Sequence, residues 1–148
     1  MKKTERYHYT ECGLQNVWLA NGFVFHDTPY GRGVSIRDVE GLHRAIGKVL
    51  AHKPRLTGAE LRFLRKEMKL SQSAMAPLLG TSEQNISLWE RRGHVPKASD
   101  RLARLLYLEN LGNQPQIRAL IDRLIELDRD GHDQLAFAEH EGQWREAA

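Results

Sequence analysis

The stretch from Leu70 to Pro96, LSQSAMAPLLGTSEQNISLWERRGHVP, constrains this chain more than any other. Its punctuation predicts two short helices joined by a tight turn. Ser71 caps the first, whose inward face carries Met75, Leu78 and Leu79. Gly80 supplies the turn, because glycine takes positive φ without a steric cost. Ser82 caps the second, its hydroxyl accepting from the free amides of the opening turn. Ile86 and Trp89 lie three apart and point inward, which leaves Glu83, Gln84, Ser87 and Leu88 on the outer face. Gly93 and Pro96 stop the helix. Two helices this short bury no core alone, so the pair must sit in a larger bundle. Pro77 removes one amide bond, to Ser73, at a cost of up to roughly 3 kcal/mol. It falls on the outer face of a short helix, where a slight kink is tolerable.

The flanks supply the rest of that bundle. Lys53-Pro54-Arg55 is an extended linker, and Thr57-Gly58-Ala59-Glu60 is a capping box in which Thr oxygen and Glu carboxylate satisfy each other's backbone amides. The helix it opens carries Leu61, Leu64 and Met68 inward and Arg62, Lys66 and Lys69 outward. A further helix is predicted from about Ala98 to Leu111, burying Leu102, Leu105, Leu106 and Leu108. Gly112 to Pro115 breaks the chain. Gln116 to Arg129 is then amphipathic, with Ile117, Leu120, Ile121, Leu124 and Leu127 in a stripe that Ile125 widens. From His132 the chain is acidic and weakly patterned, and is expected to fray.

Residues 1–37 have strand character. Tyr7 to Thr10 alternates, and Val17-Trp18-Leu19 and Phe23-Val24-Phe25 flank Ala20-Asn21-Gly22, a strong hairpin signal. Thr28 to Gly33 is a second turn before a Val34-Ser35-Ile36 strand. Asp38 caps a helix over Val39 to Ala51, with Val39, Leu42, Ile46, Val49 and Leu50 on one face. The expectation is a three- or four-stranded sheet with one helix on it.

The chain therefore reads as α+β in three parts. Residues 1–52 form a small N-terminal β-hairpin/sheet with one helix, for dimerisation or partner binding. Residues 53–112 form an all-α helix-turn-helix bundle, and 113–148 a C-terminal amphipathic helix with an acidic tail. Charge follows the same division: 53–108 hold 11 Lys/Arg against 5 Asp/Glu, whereas 109–148 hold 4 against 9. The excess of positive charge sits where a phosphate-binding surface needs it, although solvated helices also carry such residues. No apolar run reaches the roughly 18 residues of a membrane span, and Met-Lys-Lys-Thr-Glu-Arg does not open a signal peptide. With the single Cys12, this predicts a cytoplasmic protein without disulfides.

Several of these residues carry a resemblance. Ser71-Gln72, Ala76, Leu79-Gly80, Ser82, Ile86 and Trp89-Glu90 resemble the helix-turn-helix of lambda-repressor-like (Xre-type) regulators, over about Thr57 to Leu108. The layout is also similar to MqsA/YgiT-type antitoxins, which bind zinc through amino-terminal Cys pairs that this chain lacks. The resemblance implies that Arg65 pairs with Glu90 as a structural bridge orienting the reading helix, and that Gln72 holds a phosphate. It also implies a basic side chain where Leu88 stands, so operator sequence is not inherited from the family.

Contacts to DNA divide into those that specify and those that position. Gln84 is the leading base reader, since its amide gives and accepts together at adenine N6 and N7. Asn85 does the same if the helix rotates toward it. Glu83 either accepts from a cytosine amine or only favours the helix dipole. Ser87 lies one turn on; Leu88 beside it either touches a thymine methyl or packs at a domain edge. Positioning falls to Ser71, Gln72, Thr81, Ser82, Arg91, Arg92, His94 and Lys97. Arg91 and Arg92 have the alternative of idle surface charge. Trp89 belongs to the core.

Seven His and one Cys raise a metal, with His8, Cys12 and His26 as nearest candidates. Paired four-ligand spacings are absent, and so are a phosphate loop and an H-E-x-x-H motif. The expectation is no enzyme, no cofactor and no metal. The expected function is a transcriptional repressor that binds palindromic double-stranded DNA as a homodimer. The alternative is an antitoxin that holds a toxin protein and autoregulates its operon.

Overall fold

In the computed structural model, which describes residues 5–127 and 134–147, the amino-terminal strands pair differently from that expectation. Asn21-Gly22 does not join neighbouring strands. β1 (Tyr7–His8) pairs antiparallel with β2 (Trp18–Leu19), while β3 (Phe23–Thr28) pairs with β4 (Gly31–Ile36). Two separate two-stranded ribbons replace the single sheet. The turn expected at Asn21-Gly22 requires positive φ at both residues, and only Gly22 has it, at 80°. The six-residue register of β3 and β4, closed at Pro29-Tyr30, takes the second strand instead. Tyr7, Phe23 and Phe25 cluster across the two ribbons with centroids 5.4–5.9 Å apart.

Helix α1 (Val39–His52) packs on the helical bundle. Its face runs through Gly47, Leu50 and Ala51, with Leu42 and Ile46 half-buried. Val39 and Val49, expected on that face, are exposed. Gly47 explains the rotation: a Cβ there would collide with the Tyr107 ring, so the absence of a side chain lets the two helices close. The bundle continues with α2 (Gly58–Glu67), α3 (Gln72–Leu78), α4 (Glu83–Arg92) and α5 (Lys97–Gly112).

Caps fix these helices. Thr57 and Glu60 form the full capping box, Ser71 accepts from Ala74 N, and Ser82 accepts from Asn85 N. Gly80 and Gly93 take φ of 67° and 81° at the ends of α3 and α4. Pro77 sits in the last turn of α3, exposed, and the Leu79 amide still reaches the Met75 carbonyl at 3.1 Å. Leu56, Leu61, Leu64, Met75 and Ile86 are fully buried in one core, joined by Ala103, Leu106 and Tyr107 of α5. Each such aliphatic side chain contributes about 1.5–3 kcal/mol. Leu105, expected inside, is about half exposed.

Two buried carboxylates tie the linker to this core. Glu60 receives both oxygens' contacts from Lys53 Nζ at 2.7 Å, and Asp100 accepts from the Leu56 amide at 2.8 Å and from Arg104 Nε at 2.5 Å. A relay of side chains joins the ribbons to the helices: Tyr9 donates to His43 Nε2, and His43 Nδ1 donates to Glu67, each at 2.7 Å.

Helix α6 (Gln116–Leu127) follows, resting on α3 and α5 through half-buried Ile117 and Ile121. Arg129 and His132 lie outside the described residues. The tail expected to fray carries a hairpin, β5 (Phe137–His140) with β6 (Gln143–Glu146). Glu141 and Gly142 take φ of 52° and 79°, the pair of positive values a two-residue hairpin turn needs. Gly142 between Phe137 and Trp144 is the sequence signal for it, masked by the surrounding acidic residues. No helix among the described residues is long and apolar enough to cross a membrane.

Candidate nucleic-acid interface

The outer face of α4 begins at its cap. Ser82 opens the helix, and Glu83, Gln84 and Asn85 follow it exposed. Ile86 is buried beneath them and anchors the helix to the core. Gln84 makes no side-chain hydrogen bond among the described residues, so its amide is available. Asn85 Nδ2 donates to Thr81 Oγ1 at 2.9 Å, which draws that side chain back along the turn. Ser87 and Leu88 are half-buried, one turn further on, and Trp89 packs against the core.

The aim of α4 is set by a buried ion pair. Arg65 Nε donates to Glu90 Oε2 at 2.8 Å and its Nη2 to Oε1 at 2.9 Å, a bidentate geometry between side chains only 9% and 5% exposed. Arg65 Nη1 also donates to the Leu70 carbonyl at 2.9 Å. The guanidinium thus holds the α2–α3 turn and the end of α4 together. Gln72, expected on a phosphate, instead donates from Nε2 to Glu90 Oε1 at 3.2 Å. It can meet a phosphate with that group only by leaving Glu90. Ser71 accepts from Ala74 N and also bonds Ser73, so its hydroxyl is committed to its own helix.

Cations surround the far end of α4. Arg91, Arg92, His94 and Lys97 are exposed, and among the described residues none of them joins an ion pair. Arg91 Nε makes one long contact, 3.4 Å, to the Ser87 carbonyl. The structure adds residues that the sequence reading passed over. Arg55 from the linker and Arg101 from α5 stand with Lys97 and Arg104 around a recess of about 100 Å³ beside Val95. The spacing of Lys97 and Arg101, four apart on one helix, was the available signal; the approach of Arg55 from the other side of the chain had none.

Comparison with protein-family models, curated proteins and solved structures gives no match to this chain. The interface therefore stands on its own geometry. The candidate metal residues are dispersed among other partners. His8 stacks on Trp18 at 4.1 Å and donates to the Gln15 carbonyl, His26 bonds Ser35 Oγ, and Cys12 Sγ points to the Tyr9 carbonyl. Among the described residues, no group of three or more His, Cys, Asp or Glu is placed to hold a metal ion.

Proposed function

We propose that this chain is a sequence-specific DNA-binding regulator, a repressor that places α4 in the major groove of a palindromic operator and binds as a dimer. The observation that carries the reading is the exposed Glu83-Gln84-Asn85 edge on a helix held from behind by the Arg65–Glu90 bridge. Exposed Arg91, Arg92 and Lys97, in no ion pair among the described residues, lie at its far end. Gln84 is the leading base reader, Asn85 joins it only by leaving Thr81, and Glu83, Ser87 and Leu88 lie at the margins of the same groove. Phosphates fall to the cations and to Thr81 and the Ser82 turn. One helix reads too few base pairs to select a site in a genome, which is why a two-fold dimer belongs to the proposal.

Footprinting on the DNA flanking its own gene tests this. The expected result is a protected palindrome with half-sites about one turn, roughly 34 Å, apart, and affinity that falls steeply with salt. Protection without a preferred sequence at any salt concentration removes the repressor reading.

A second reading is favoured by the exposed apolar residues of the ribbons, Trp18, Val24 and Tyr30. In it the chain is an antitoxin whose amino-terminal part holds a toxin protein and whose α4 serves autoregulation. Co-purification of a stable partner from the native source, lost on Trp18→Ala, is its test.

A further inference from the structure

Two apolar faces near the carboxy-terminal end lie uncovered. On α6 no residue is buried, and Leu120 and Leu124 are 56% and 55% exposed, one turn apart. Leu127 continues the row, and exposed Arg123 borders it without an ion pair among the described residues. In the hairpin every residue of both strands is exposed. Residues opposite one another in an antiparallel pair share a face, and alternate residues return to it. The register of Phe137 with Glu146 and Glu139 with Trp144 therefore places both aromatics and both glutamates on one side. Phe137 is 57% and Trp144 72% exposed. A two-stranded hairpin by itself is marginal in water and needs an apolar surface to lie on.

The faces complement each other: an aromatic pair flanked by carboxylates, and a leucine row flanked by an arginine. Among the described residues of one chain each stays bare. We infer that two copies of this chain pair through these surfaces, the Phe137/Trp144 face of each hairpin covering the Leu120/Leu124 row of the other copy's α6. Glu139 and Glu146 then lie toward Arg123 of the second copy. The exchange is reciprocal, so both contacts form at once and the assembly closes with two-fold symmetry. Four aromatics, each about 150–250 Å² and roughly half of it bare, and the leucines beneath them bury on the order of 1,000 Å². That is the lower bound of a specific interface. The inference rests on the dimeric reading above and selects its surface, but uses no DNA contact.

The test is the mass of the full chain by sedimentation, without DNA. Wild type is expected as a dimer. Phe137→Ala/Trp144→Ala removes the hairpin face and Leu120→Asp/Leu124→Asp removes the helix face; each is expected to weaken pairing at least about 100-fold and give monomers. Mixing the two variants restores one intact contact, so a mixed dimer is expected that neither forms alone. A monomeric wild type overturns the inference, as does a dimer that survives in both variants. Loss of pairing without recovery on mixing also overturns it, because a hairpin lying on its own α6, or an unfolded variant, cannot complement. Operator binding is scored separately. A chain that pairs this way yet binds no DNA keeps this inference and loses the repressor reading, whereas a chain that is monomeric alone yet fills both half-sites of an operator does the reverse.

Discussion

A Cβ placed on Gly58 falls 2.4 Å from the carbonyl oxygen of Glu90. The first turn of α2 thus meets the last turn of α4 backbone to backbone, and the Trp89 carbonyl is as close, at 2.5 Å. Neither oxygen belongs to a flexible side chain, so a methyl there must push α4 away. Gly58→Ala is expected to lose about 1–3 kcal/mol, the usual cost of overpacking. Urea unfolding measures it; an unchanged midpoint means the two helices do not touch in this way.

The Arg65–Glu90 bridge makes a sharper claim. Arg65→Ala leaves the Glu90 carboxylate buried with only Gln72 beside it, and is expected to lose about 3–5 kcal/mol. Replacing both, Arg65→Met with Glu90→Leu, removes the lone charge and is expected to recover most of that loss. A double-mutant cycle in denaturant decides it: additive losses sink the bridge as a coupled unit.

Tyr107 is buried, and among the described residues its hydroxyl is the buried side-chain polar group with no hydrogen-bond partner. Tyr107→Phe removes an unsatisfied donor and is expected to leave stability unchanged or raise it by about 1 kcal/mol. Burial, with the Glu67 charge adding to it, raises the phenol pKa above its ordinary value of 10.0. The folded protein then keeps a proton that the unfolded chain releases. The sign follows: stability from this group is complete below pH 10 and is lost as pH climbs past it. Thermal melts across the alkaline range should therefore flatten in the Phe variant.

Lys69 is exposed and takes φ of 58° in the turn between α2 and α3. Left-handed backbone costs a side-chain-bearing residue about 1–2 kcal/mol, and glycine's looser unfolded chain offsets about half of that. Lys69→Gly is expected to stabilise the protein by roughly 0.5–1 kcal/mol. A lower melting temperature would count against the strain.

Gln84→Ala bears on function alone. Under the repressor reading it weakens operator binding by about 1–3 kcal/mol and relaxes one position of the site, with the fold intact. Selection from a randomised operator pool reads this directly, and an identical preferred sequence in the variant removes Gln84 as a reader. Arg91→Ala, by contrast, should weaken all sequences alike and lower the salt slope by about 1.

The caps and turns of the helix-turn-helix were legible because their causes are local. Ser71, Ser82 and Thr57 each satisfy amides within three residues, and Gly80 and Gly93 sit where φ turns positive. What periodicity could not carry was competition between distant partners. Asn21-Gly22 lost its strands to other partners, one to the two-residue β1 and the other to the six-residue pairing with β4, and Gly47 turned the face of α1 because Tyr107, sixty residues on, fills its place. Asp100, in a helix start that reads as solvent-facing, is buried because the Leu56 amide needs an acceptor. Gln72 was assigned by resemblance, and its turn toward Glu90 depends on a neighbour eighteen residues away. Cationic Arg55 became a neighbour of Lys97 and Arg101 only through the tertiary fold.

The bridge behind α4 keeps the orientation of that helix apart from the chemistry of its outer face. Orientation is vested in Arg65 and Glu90, under cover, while Glu83 and Gln84 are exposed and make no side-chain hydrogen bond or ion pair among the described residues. Exchanges at those two outer positions should shift stability by no more than about 0.5 kcal/mol. Under the repressor reading, a lineage carrying this scaffold drifts from one target to another by rewriting a pair of surface letters, with no refolding step in between.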